Sequence, residues 1–175
     1  MSKTSQDQAE IQRKLWDEIS ESRFGMLGLA DDARQVQPMT AFPEPHEAAI
    51  WFFTKADTDI AKAVVGGADG IFIIQSKDQQ LQAAVAGQLD LLRDAGRIDR
   101  YWNPMVAAWF PDGRDDPSLV LLRLSARHAE VWLSKAGPIR LAWEVAKANT
   151  THAEPDVGKR SSLDLGADRG LPRWR

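Results

Sequence analysis

The chain has 175 residues, of which 43% are hydrophobic, and a formal net charge of −3. That length supports one good core and is short for two independent domains. It has no cysteine, so disulfides, thiolate metal sites and cysteine nucleophiles drop out together, and a reducing, cytoplasmic location is the expectation. Charges of both signs are interspersed and give no basic field for gripping nucleic acid. No apolar run approaches the roughly 20 residues of a membrane helix, and the opening MSKTSQDQAEIQ lacks the basic-then-apolar order of an export signal. His46, His128 and His152 are too scattered to suggest a metal cluster. Seven tryptophans are many for this length. They serve core packing, buried interfaces and planar ligands alike.

In chain order, Gln8 to Glu21 places Ile11, Leu15, Trp16 and Ile19 at near-helical spacing, which predicts an amphipathic helix lying on the rest of the fold. Phe24 to Leu29 and Gln35 to Phe42 read as a hairpin whose second strand has an edge or bulge at Pro38. After the turn PEPHE, Ala49 to Thr54 (AIWFFT) has the strongest strand composition in the chain. Asp57 or Thr58 caps a short helix that runs through Val65 and stops at Gly66 and Gly67. Gly70 to Ser76 and Gln80 to Leu92 form a second hairpin. Arg97 to Phe110 returns to helical spacing and is broken at Asn103 and Pro104. Leu119 to Leu124 is a buried strand, a further strand-like piece covers Ala129 to Leu133, and Pro138 to Asn149 reads as a helix opened by proline. The single domain is expected over residues 1–151. Residues 152–175 are polar and rich in Gly, Pro, Ser and charge, the composition of a loosely ordered tail. About six short strands with few helices point to a small antiparallel barrel, mainly β with flanking helices.

No nucleophile elbow, phosphate-cradling glycine loop or HExxH motif is present. A protein of this kind can still hold a cofactor that brings the chemistry with it, provided it offers a shaped, partly aromatic pocket and anion contacts. The end of AIWFFT is the natural place to seek those contacts. Thr54 closes the strand, Thr58 opens the next helix, Lys55 and Lys62 are near in sequence, and Lys77 ends a neighbouring strand. On the local pattern alone, Thr58 reads equally as a plain N-cap and the lysines as a solvated face.

The segments QVQPMTAF, AIWFFTKADTD, LQAAVAGQLDLLRD, YWNPMVAAWFPDGRDDPSLVLLRLS and AEVW, in that order, resemble the general stress protein branch of the pyridoxamine 5'-phosphate oxidase-like split barrels. The resemblance implies a six-stranded antiparallel Greek-key split β-barrel that pairs as a homodimer, with flavin mononucleotide (FMN) in the cleft between subunits. It places Gln37, Pro38 and Met39 on the strand bordering the flavin, Phe53 and Thr54 at the strand end, and Thr58 on the phosphate. Gln82 reaches the cofactor from the facing strand and Trp109 approaches the ring from the partner chain, while Lys55, Lys62 or Lys77 is the candidate compensating cation. Trp102 and Trp109 read equally as fillers of the dimer interface. Gln37 stands where the related pattern has Arg, and Asp59 and Ile60 stand where the oxidases have Arg and Lys. The implied phosphate site is therefore poor in cations. The tail KRSSLDLGADRGLPRWR does not reproduce the oxidases' Arg-rich substrate segment, which argues against a vitamin B6 oxidase. The expected function is FMN binding with a possible redox role, without assignable catalytic residues. The alternative is a non-redox dimeric module for another flat ligand or a protein partner.

Overall fold

The computed structural model describes residues 3–32, 36–134 and 158–166. Helix α1 (Lys3–Ser22) opens the chain and β1 (Phe24–Leu29), β2 (Gln37–Thr40) and β3 (Phe42–Glu44) follow. After a 3-10 turn at Pro45–Glu47 come β4 (Ala49–Lys55), α2 (Asp59–Ala63), β5 (Ala68–Gln75) and β6 (Leu81–Leu92). Helices α3 (Ala95–Tyr101) and α4 (Pro104–Ala107) precede β7 (Leu119–Leu133) and β8 (Lys159–Asp164). The eight strands of the described residues form one antiparallel sheet in the order β2-β1-β5-β6-β7-β4-β3, with β8 paired to β7 off that path. The two edge strands β2 and β3 are consecutive pieces of one segment broken at Ala41, and β2 approaches β4, so the sheet curls back on itself. This is the mainly β, curled antiparallel architecture with flanking helices that the sequence implies.

Three sequence expectations change. Among the described residues the strand count is eight rather than six, because QPMTAFPE is interrupted at Ala41 and a further strand forms at Lys159–Asp164. The pieces 119–124 and 129–133 are one 15-residue strand, kept continuous across the polar stretch 125–128 by its pairing with β6. The segment Lys159–Asp164, expected in a loose tail, is a strand because Leu163 and Leu165 alternate into the core while Arg160, Ser162 and Asp164 face out. The helix read at Pro138–Asn149 lies outside the described residues.

Alternation along the strands sorts the side chains. The barrel interior takes Leu27, Phe52, Phe72, Ile74, Val85, Leu89, Leu122, Leu124 and Val131, and α1 lays Ile11, Leu15, Trp16 and Ile19 against the same cluster. Helix α1 ends at Arg23, whose left-handed φ of 56° lets its N–H donate to the Ile19 carbonyl at 3.1 Å. A second cluster of Phe42, Trp51, Ile98, Val106, Phe110, Leu119 and Leu121 glues α3 and α4 to the outer face of β4 and β7. Asn103 caps α4 by accepting from the N–H groups of Met105 and Val106, with Pro104 at the first helical position, so the break at Asn-Pro is a helix start.

β7 is too long for one neighbour. Its 119–125 half pairs with β4 and its 128–133 half with β8. Leu163→Ala therefore opens a cavity beneath a fully packed strand and is expected to lower unfolding stability by about 2 to 5 kcal/mol, measured by chemical denaturation of the full chain.

Candidate functional site

The expected site residues fall into three groups. Gln37, Met39, Thr54 and Thr58 belong to the rim of the barrel. Gln37 and Met39 face inward with Leu27 and Gly25 opposite them, and the Gln37 amide lies 3.3 Å from the Met39 sulfur. Thr54 is only 7% exposed. The Thr58 hydroxyl donates to the Lys55 carbonyl at 2.8 Å and accepts from the Ala61 N–H at 3.4 Å. Its one proton is thus used, so in the 3.1 Å contact between the two hydroxyls Thr54 is the donor. The pair forms a closed latch holding α2 to the end of β4, and neither hydroxyl has a proton left for an anion.

Phe53, Lys55 and Trp109 belong to the helical layer outside β4. Phe53 packs edge-on against Phe42 and near Trp102 and Phe110, and the Lys55 ammonium lies 5.9 Å from the Phe110 ring centroid. The layer is fastened to β3 by a polar knot. Buried Glu44 pairs with Arg97 at 3.2 Å and Arg100 at 3.1 Å and accepts from the Tyr101 hydroxyl, while Arg97 also pairs with Glu47. Burial first, and then the hydrogen bond to Glu44, push the Tyr101 phenol up to about 12. Trp109, just past α4, is 71% exposed.

Pro38, Lys77 and Gln82 belong to the outer face of β2-β1-β5-β6 and the turn at one of its ends. In register, Pro38 lies opposite Met26, Met26 opposite Ile73, and Ile73 opposite Ala84. Phe24, Met26 and Ile73 on this face are exposed. Gln82 is two residues from Ala84 on the same face, and its amide donates to the Gln79 carbonyl at 2.7 Å. Lys77 is exposed in the adjoining turn. Within one chain Gln82 is far from Thr54: Gln82 pairs with Trp132 and Thr54 with Val120, at opposite ends of β7.

Gln82 does have company that the sequence reading missed. Directly opposite it stands Trp132, 40% exposed, and opposite Trp132 stands Arg160 of β8. The Arg160 guanidinium lies 5.5 Å from the Trp132 ring centroid. An amide, an indole and a guanidinium thus form a row across three adjacent strands, neighbours standing about 5 Å apart. Arg160 also donates to Glu130 at 2.8 Å, Ser162 donates to the same carboxylate at 2.8 Å, and His128 lies 3.0 Å from it. These contacts, Arg160 first, pull the Glu130 carboxyl down to about 2. Both Ser162 and Glu130 meet the same His128 nitrogen, Nε2, so the trio is not a nucleophile relay, which needs the acid on the other ring nitrogen.

The family profile described as "Pyridoxamine 5'-phosphate oxidase like" matches residues 10–156. The chain belongs to this family. Within the pyridoxamine 5'-phosphate oxidase-like family it falls in the general stress branch. It is 30% identical to a protein assigned as general stress protein 26 from Jannaschia sp. CCS1, with 89% of this chain and 99% of that one covered and a TM-score of 0.73. A general stress family protein of Xanthomonas campestris pv. campestris is 40% identical over 74% of this chain and 90% of its own, with a TM-score of 0.68. The general stress FMN/FAD binding protein of Xanthomonas citri is 39% identical over 74% and 92%, also with a TM-score of 0.68. No curated protein matches the chain.

The face carries a half-exposed indole at Trp132, the apolar side chains of Met26, Ile73 and Ala84, the Arg160 guanidinium paired with Glu130, and Lys77 in the adjoining turn. Among the described residues no helix is long and apolar enough to cross a membrane, and no group of three or more His, Asp or Glu side chains could hold a metal.

Two outcomes check this geometry. Since Glu130 is held below its ordinary 4.5 in the folded chain, its contribution to stability is present above that value and is lost as pH falls toward about 2. An acid titration of the wild type is therefore expected to show a stability loss in that window that is smaller in Glu130→Gln. Thr54→Val breaks the latch and is expected to cost about 0.5 to 1.5 kcal/mol of unfolding free energy, read by denaturation.

Proposed function

We propose that the protein binds FMN on the face built by Gln82, Trp132 and Arg160, in a cleft completed by a second copy of the chain. The observation that carries this reading is the row itself: a half-exposed indole flanked by a guanidinium and an amide, beside an apolar floor. The 39% identity to a general stress FMN/FAD binding protein supports the same cofactor. The second copy is supported by exposed Phe24, Met26 and Ile73, apolar side chains that neighbour one another on one face of the sheet, the kind of surface that marks a protein contact. It is supported also by the division of the expected contacts, since Trp109 and the Thr54 rim lie far from Gln82 in one chain and come to the same ligand only from a partner. When bound, the flavin supplies an electron-accepting ring, and the residues of this chain hold it, orient it and shield it from water.

A second reading, a non-redox module for another planar ligand, is favoured by one specific observation. Gln37, Asp59 and Ile60 occupy positions where the related patterns carry cations, and the Thr54 and Thr58 hydroxyls are spent on each other and on the backbone. The phosphate then depends on Arg160, Lys77 and Lys55.

The deciding measurement is FMN titration of the purified, flavin-free protein, followed by the visible spectrum and fluorescence quenching. Saturable quenching near one equivalent per chain is expected, with Trp132→Ala weakening it about tenfold, the equivalent of the about 1.4 kcal/mol that an aromatic contact contributes. A protein that leaves the flavin spectrum unchanged, yet gains thermal stability with a different planar ligand, establishes the second reading.

A further inference from the structure

Strand β8 is an edge element with a double role. Among the described residues it is joined to the sheet on one side only, through β7, and it is anchored beneath by Leu163 and Leu165. Lys159 reaches Asp7 of α1 at 3.6 Å. Its outward side chains are Arg160, which lies over Trp132 and pairs with Glu130, Ser162, which donates to Glu130, and Asp164 at the far end of the strand, which accepts from the Gly166 N–H. A six-residue strand with one neighbour and two apolar anchors opens more readily than the central strands, whose free energy of opening approaches that of global unfolding.

We infer that docking of β8 and filling of the ligand face are coupled, so that β8 is a latch which the bound anion closes; this rests on the flavin reading above. The differential contact is explicit. With β8 docked, the face presents a guanidinium beside Trp132, and the Glu130 carboxylate is neutralised by Arg160. With β8 undocked, the guanidinium is gone and a carboxylate left with His128 as its partner stands two residues from Trp132 on the same face. An anionic flavin gains attraction in the first state and meets repulsion in the second, so it binds the docked state more tightly. By linkage it draws β8 onto β7 by the same factor. Arg160 acts here as both ligand contact and strand fastener.

The test uses the full flavin-free chain. Hydrogen–deuterium exchange over residues 159–164 is followed with and without saturating FMN, while fluorescence quenching reports binding independently. The expected result is slowing of exchange in β8 by about tenfold, within the usual range of coupling between sites, with no comparable change in β5. Leu165→Ala, which loosens the anchor without touching the outer face, should accelerate β8 exchange in the free protein and weaken FMN binding only in proportion to the fraction of chains it leaves undocked. Leu163→Ala serves as the stronger version. Arg160→Gln should bind FMN more weakly and lose the slowing. Quenching by FMN with unchanged β8 exchange, or with uniform slowing across the sheet, overturns the latch and leaves the flavin reading standing. Absence of quenching overturns both.

Discussion

The architecture depends on one close approach of two backbones. A side chain at Gly87 would place its Cβ 2.0 Å from the Ser125 carbonyl oxygen, so only glycine fits where β6 meets β7. At the same place the register shifts: Ala86 pairs with His128 and Gly87 with Ala126, leaving Arg127 as the extra residue of a bulge. The bulge is also the handover between β7's two neighbours. The Ala126 N–H donates to Ala48, next to β4, and the Arg127 carbonyl accepts from Leu165, just beyond β8. Bending at this point sends one half of β7 toward the α3–α4 layer and the other toward the face that carries Trp132.

This explains which parts of the fold were legible in sequence. AIWFFT, the two hairpins, the Thr58 cap and the helix start at Asn103-Pro104 depend on local chemistry, and local chemistry is visible in a string of residues. The continuity of β7 was not, because Ser125 to His128 is polar and its strand conformation is imposed by β6. Nor was β8, whose surroundings have the composition of a tail. The one available signal was the alternation of Leu163 and Leu165, too short to stand out. The unseen strand also hid part of the candidate site: Trp132 could be read as one more interfacial tryptophan until Arg160 was found beside it, 28 positions further along.

The expected site residues met a related limit. Resemblance assigns positions, and positions such as Thr54 and Thr58 did come together, but the hydrogen-bond accounting shows them satisfied by each other and by the backbone. An anion there has to compete with bonds already made, whereas Arg160 presents a delocalised cation on an open face with its carboxylate partner on one side only. The strand end thus has no free hydroxyl proton to offer, while the C-terminal strand brings a guanidinium to the open face of the sheet.

Arg160 stands beside Trp132 only if the register of β8 is exact to the residue. Slipping by one position would put Leu163 into solvent and drive Arg160 toward the core, where an unpaired guanidinium is untenable. Hydrophobic burial of two leucines sets which face is in, but it does not resist a slip of two residues, which preserves the alternation. The polar contacts do. Arg160 meets Glu130 at Oε2 and Ser162 meets it at Oε1, so one carboxylate is gripped from both sides along the strand. Moving β8 by two residues would replace one of these partners with Asp164 or Gly158. The same carboxylate that pairs with Arg160 thus specifies where Arg160 stands, and the placing of the guanidinium beside Trp132 and the strand register are one interaction.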